Sequence, residues 1–190
     1  MRTALIIAVL TLVGACASTP APRYYTLDMR SSGAVNPPVN IEIGRITASE
    51  QLTRPDILVK PTPWEVEYYA TDRWAAALEE LVREKLEAEF GPNQASQPCL
   101  QLSGRVLAFE QVDSDHGPQA HVKLDLAFHC AGSGVNEEPV MEKVYEVWAE
   151  AGEPAPSSVV QTLSTSLETI AAQIAEDCAT LVQEGKINEN

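Results

Sequence analysis

The sequence predicts an α+β domain: a mostly antiparallel β-sheet with two main helices packed on one face. Three observations carry this reading. Runs with an apolar residue at every second position recur along the chain. Two longer windows repeat apolar residues at three-four spacing. Stretches rich in Pro and Gly separate these runs. A chain of 190 residues has room for one domain with a real core and is short for two.

Arg23 to Met29 (RYYTLDM) alternates and carries β-prone aromatics, so it reads as a first strand. Residues 31–38 (SSGAVNPP) form a loop, and Val39 to Ile46 (VNIEIGRI) alternates as a second strand. DILVK (56–60) and WEVEYYA (64–70) are two short strands split by Pro61 and Pro63. A helix follows, capped by Thr71 or Asp72, with Trp74, Leu78, Leu81, Val82 and Leu86 on one face. Gly91-Pro92 stops it. CLQLSGRVLAFEQV (99–112), HVKLDLAFHC (121–130) and PVMEKVYEVWAE (139–150) are successive strands, the pattern of a β-meander.

The last element is a helix from about Ser157 to Gln183. Val160, Leu163, Leu167, Ile170, Ile174 and Leu181 make a stripe close to a coiled-coil seam. Packing of this stripe on the domain's own sheet is the preferred reading, and self-association into a homo-oligomer is the alternative. Cys178 on this helix reads as a small core residue. The single domain spans residues 24–184, and residues 185–190 are expected to fray.

Net charge narrows the partners. The chain carries 27 acidic against 13 basic residues, a formal charge of −14. Nucleic acid should repel it, because phosphate recognition rests on Lys and Arg. Anionic lipid headgroups offer it nothing either, so membrane attachment must come from something other than surface charge.

The first residues supply that something. Arg2 is a short positive n-region, and Ala4 to Val13 (ALIIAVLTLV) is an apolar h-region too short to span a bilayer comfortably. Residues 1–15 therefore read as a secretory signal. Ala15-Cys16-Ala17 fits the A-x-A pattern of ordinary cleavage, which would remove Cys16. Val13-Gly14-Ala15-Cys16 instead resembles a bacterial lipobox, with an aliphatic residue three before Cys and small residues between. The position of Cys16 at the end of the h-region, and the Ser/Thr/Pro-rich tether over 16–23, favour the lipobox. That reading implies an S-diacylglyceryl group and an N-acyl chain such as palmitate on Cys16. Each buried methylene contributes about 0.8 kcal/mol, so two or more chains hold firmly. Ala17 stands where an Asp would retain a lipoprotein in the inner membrane of enteric bacteria. It therefore points to the outer membrane, facing the periplasm.

Export sends Cys99, Cys130 and Cys178 into an oxidising compartment. A hairpin centred near Ser114 and Asp115 would set Cys99 and Cys130 roughly opposite each other. A disulfide between them and a pair of buried free thiols are the two readings.

No motif assembles an active site. His116 lies in a turn, and His121 and His129 are eight residues apart on one strand, about 26 Å. Asp113-Ser114-Asp115 lacks an EF-hand frame. Ser164 and Ser166 lack a nucleophile elbow. The reading is a protein that is not an enzyme, with no metal and no cofactor beyond the covalent lipid.

The order of pieces resembles a known family. A lipobox precedes YYTL and VNIEIGRI strands, then L-x-R-P-D-I-L-V, then WEVEYYATDRWAAALEELVREKL. The ABC-type transport auxiliary lipoproteins, among them the PqiC/YmbA-like lipoproteins, have the same succession. Tyr68, Tyr69, Arg73, Trp74 and Leu78 are the matching positions. Ala76-Ala77 stand where Glu-Pro is usual in the family, and Cys99 and Cys130 are not family features. The resemblance implies a non-catalytic adaptor at the outer membrane. Its partners would be an MCE-domain protein and that protein's ABC permease and ATPase, which move lipids between the two membranes. Tyr69, Arg73 and Trp74 become residues of either partner contact or structure. A lipoprotein that itself binds a lipid or apolar ligand, and an outer-membrane assembly or structural lipoprotein, are the competing functions.

Overall fold

A computed structural model describes residues 20–33, 35–92, 99–130 and 138–187. Seven strands form one mixed sheet: β1 (Arg23–Tyr25), β2 (Asn40–Ala48), β3 (Asp56–Lys60), β4 (Glu67–Trp74), β5 (Cys99–Ser114), β6 (Gly117–Cys130) and β7 (Met141–Glu150). Two helices, α1 (Leu78–Phe90) and α2 (Pro156–Gln183), complete the α+β domain.

The 16-residue β5 is the spine. One of its edges pairs with β6 throughout, and β6 pairs with β7, both antiparallel, giving the expected meander. Its other edge is shared. Its first half pairs in parallel with β2 and its end pairs in parallel with β3. β4 then adds antiparallel to β3, and β1 adds parallel to β4. Antiparallel pairing dominates by length, and three parallel connections make the sheet mixed.

At Gly104 the backbone of β6 lies tight against β5. A Cβ there would overlap the carbonyl oxygen of Asp125 and the Cα of Leu126, so only glycine fits.

One face of the sheet carries the core. Leu100, Leu102, Val106 and Phe109 of β5 and Ala120, Val122, Leu124, Leu126 and Phe128 of β6 are buried there. The alternation in β6 is the period-two pattern of a sheet with one covered face. α2 packs across β6 and β7, α1 packs on β2, and the helices touch each other. The stripe on α2 is spent inside the domain: Val160, Leu163, Leu167, Ile170, Ile174 and Leu181 are all buried in the shared core. The preferred reading, packing on the domain's own sheet, is what the structure shows for that seam. Cys178 is fully buried, and burial pushes its thiol up to about 12.

The start of α1 differs from the sequence expectation. Trp74 belongs to β4, and the helix begins only at Leu78 after Ala77. Asp72 and Trp74 are buried while Thr71 and Arg73 are half-buried, a period-two pattern that Trp74 and Leu78 disguise as i,i+4 spacing. Asp72 does not cap the helix. Its carboxylate meets Arg23 Nε on β1 at 2.7 Å. Burial opposes its charge, but bonds from Arg23, Tyr25 and Thr71 outweigh that and hold its pKa below the usual carboxylate value. Glu79 and Glu80 in the first turn favour the helix dipole, and Gly91 at φ 69° closes the other end.

A buried charged knot ties the loop after β1 to both helices. Lys85 Nζ donates to Glu89 Oε1 at 2.6 Å, Glu168 Oε1 at 2.8 Å and the Arg30 carbonyl at 2.8 Å. Glu89 also accepts from the Ser32 backbone N–H and hydroxyl. Lys85 and Glu89 occupy the apolar stripe of α1, at core positions in step with Leu78, Leu81 and Val82.

Candidate functional site

Among the described residues, the second face of the sheet bears no helix. Side chains there come from the positions between the core residues of β6 and β7, and on β5 the bulge at Leu107 turns Glu110 to this face. Its centre is a charged and aromatic cluster. Glu110 on β5 is fully buried beneath it. Lys60 Nζ on β3 lies 2.6 Å from Glu110 Oε1. Across the ladder, His121 on β6 pairs with Glu110 and with Trp148 on β7.

His121 has a carboxylate on each side. Nδ1 lies 3.2 Å from Glu110 Oε1 and Nε2 lies 2.8 Å from Glu146 Oε1. A neutral imidazole has one N–H and can donate to one of these, whereas an imidazolium can donate to both. Lys123 Nζ completes the set at 3.1 Å from Glu146 Oε2. Hydrogen bonds from His121, then from Lys123, hold Glu146 below the usual carboxylate range. The His121 ring stacks on Trp148, and the indole remains 51% exposed. Val144, four residues before Trp148 on the same face of β7, is 47% exposed. The result is a fixed aromatic platform on an edge strand, surrounded by ion pairs.

Lys60 meets Glu110 Oε1 and Lys123 meets Glu146 Oε2, while the buried Glu110 Oε2 has no hydrogen-bond partner among the described residues. Among the described residues, no group of three His, Cys, Asp or Glu side chains could hold a metal ion.

The residues singled out from sequence fall elsewhere. Cys16 lies outside the described residues. Trp74 is core, packed edge-to-face on Phe109 with ring centroids 5.6 Å apart. Arg73 Nε pairs with Asp56 Oδ1 at 3.0 Å. The Tyr69 hydroxyl donates to Gln111 Oε1 at 2.6 Å. All three are engaged by neighbours within the domain. Cys99 and Cys130 are free thiols. A bulge at Leu107 shifts the hairpin register, so Cys130 lies opposite Leu100 and adjacent-parity Cys99 faces the other side of the sheet. His116 and the Asp113-Ser114-Asp115 turn are exposed, and His121 and His129 do share a strand and a face.

Sequence reasoning missed the cluster because its members are scattered over β3, β5, β6 and β7. The available signal was a His, a Lys and an aromatic at alternating positions of two consecutive strands.

A family model for ABC-type transport auxiliary lipoprotein components matches residues 25–175. The chain belongs to that family. The match spans β1's end through most of α2, so the Tyr69–Trp74 segment, the sheet and the open face all fall within it. Solved structures share the auxiliary lipoprotein's fold. Protein XCC0632 from Xanthomonas campestris is 16% identical, with TM-score 0.68 over 86% of this chain and 99% of that one. The crystal structure of an uncharacterized protein is 13% identical, with TM-score 0.61 over 83% of this chain and 99% of that one. No curated protein matches the sequence. No helix among the described residues is long and apolar enough to cross a membrane.

Proposed function

We propose that this auxiliary lipoprotein is a non-catalytic adaptor, anchored through acyl chains on Cys16 to the outer membrane and facing the periplasm. Its partner is the MCE-domain protein of an ABC transport system that moves lipids between the inner and outer membranes. The match to the transport auxiliary family over residues 25–175 carries this reading. The lipobox-like Val13-Gly14-Ala15-Cys16 supports the anchor, and Ala17 after it supports the outer membrane.

The open face, with half-exposed Trp148 and Val144, is the contact surface in this reading. Aromatic anchors held in place by their neighbours are the side chains that dominate binding energy at interfaces. Lys60, His121 and Lys123 already hold its carboxylates in place within the domain, so a partner meets a preformed surface.

The test is a mild-detergent pull-down of the full lipoprotein, tagged at its C-terminus, from its native cells. Recovery of an MCE protein with its permease and ATPase is the expected result. Absence of any MCE protein after crosslinking would overturn the adaptor role. Near-stoichiometric phospholipid in the purified protein would favour a lipid carrier instead.

A further inference from the structure

We propose that the turn between β3 and β4, with Trp64 at its tip, is a second membrane contact, seated in the headgroup interface of the bilayer that holds Cys16. The inference rests on the anchor reading above. It adds an orientation: the strands stand with this end of the sheet toward the membrane.

Trp64 is 86% exposed, the most exposed large apolar side chain among the described residues, and nearby Val66 is also exposed. The turn that presents it is stiff. Pro63 occupies the second position, where its fixed φ suits the turn. The Glu65 backbone N–H donates to the Thr62 carbonyl at 3.3 Å. The Thr62 hydroxyl donates to Glu65 Oε2 at 3.0 Å. A rigidly offered indole, apolar in body and polar at its N–H, suits the membrane–water interface.

Strand register places this tip beside the anchor. β1 runs parallel to β4, with Arg23 opposite Asp72. The chain before Arg23 therefore leaves the sheet from the end at which the β3–β4 hairpin projects. From Asp72 back to Glu67, β4 advances about 17 Å toward the tip. The seven residue steps from Cys16 to Arg23 span at most about 25 Å. The difference leaves Glu67 within about 8 Å of the anchored residue's plane when the tether is fully extended and the strands stand upright, and the Trp64 tip lies beyond Glu67. That gap is comparable to the headgroup layer, about 5–7 Å per leaflet.

Charge selects the kind of surface. Glu65, Glu67, Asp113, Asp115 and Glu153 also cluster at this end of the sheet and are exposed. An anionic surface would repel them, so the occupant is a zwitterionic phospholipid interface bound through the indole.

The test uses the full lipidated protein in vesicles of phosphatidylethanolamine and phosphatidylcholine, with bromine on the acyl chains close to the headgroups. Acylation of Cys16 is read by mass spectrometry and membrane attachment by flotation. Trp64→Leu is the variant, and its thermal midpoint should match that of the parent because Trp64 touches little of the domain. The expected result is quenched, blue-shifted tryptophan emission in the parent, with most of the quenching lost in Trp64→Leu. Equal quenching in both proteins, or none in the parent although Cys16 is acylated and the protein floats, overturns the Trp64 contact alone. An unacylated Cys16 overturns this proposal together with the anchor reading. A photo-crosslinker at position 64 that joins protein and not lipid assigns the tip to a protein groove and also overturns it.

Discussion

The imidazole of His121 lies flat on the indole of Trp148, ring centroids 3.7 Å apart and planes 12° from parallel. The pair faces across adjacent strands, and Glu110 and Glu146 fix the imidazole from both sides. Stacking therefore holds an exposed indole in one place without burying it.

Trp148→Ala is expected to lower recovery of the MCE partner tenfold or more, a loss of about 1.4 kcal/mol or greater. Its thermal midpoint should fall by only a few degrees, since half the indole already faces water. A large drop in thermal midpoint with unchanged partner recovery would assign Trp148 to stability instead.

The knot at Lys85 should dominate the response to pH. Burial acts first to lower the Lys85 pKa, but bonds to Glu168 and Glu89 outweigh it, and the net shift is upward. Burial likewise raises Glu89, and Lys85 and Ser32 outweigh it, leaving Glu89 depressed. Stability from Glu89 is present above its unfolded value, about 4.3, and is lost as pH falls through the lower folded value. Stability from Lys85 is present below about 10.4 and is lost as pH rises through the higher folded value. Lys85→Met should cost about 3–5 kcal/mol at neutral pH, because it strands buried carboxylates. In that variant burial of Glu89 is no longer opposed by Lys85, so mild acidification should stabilise it. Urea melts at pH 7 and pH 5 read the sign, and parallel pH responses in the two proteins would show that the knot is not coupled.

Gly104→Ala should cost about 3 kcal/mol, since the added methyl meets backbone on β6 and not a movable side-chain tip. Calorimetry checks this, with Gly117→Ala as a contrast. Gly117 has open space around its Cβ position and only its φ of 112° to resist the change. A smaller loss at Gly104 than at Gly117 would mean the strands can separate there.

All three described cysteines should alkylate when the protein is unfolded in denaturant without reductant. The register faces Cys99 and Cys130 to opposite sides of the sheet, and Cys178 is enclosed. Intact mass after iodoacetamide treatment counts the labels. A molecule with two of the three labels missing would mean a bridge forms in the oxidising compartment, with the β5–β6 hairpin shifted by one residue.

Much of the domain was legible locally. β2, β5, β6, β7 and α2 follow from alternation or three-four spacing, because each presents mainly one face to the core and repeats that demand along its length, while β3 shows as a short apolar run buried on both faces. The short β1 was overread, since Leu27 is buried with no strand partner to extend the ladder. The β4–α1 junction was misread, because a strand ending in Trp74 and a helix starting at Leu78 share one spacing.

The sequence by itself determined the α+β class, the one-sided core, the acidic balance and the lipobox-like segment, since each is a property of composition or short-range period. Tertiary structure alone decided the rest. Parallel pairing of β1 with β4 and of β2 and β3 with β5 joins segments far apart in the chain, and no local pattern encodes such pairing. A single bulge at Leu107 decided which way Cys99 and Cys130 face, because one extra residue reverses every side chain beyond it. The same long-range register gathered Lys60, Glu110, His121 and Trp148 on the open face and turned the Trp64 tip toward the end where the chain enters the sheet.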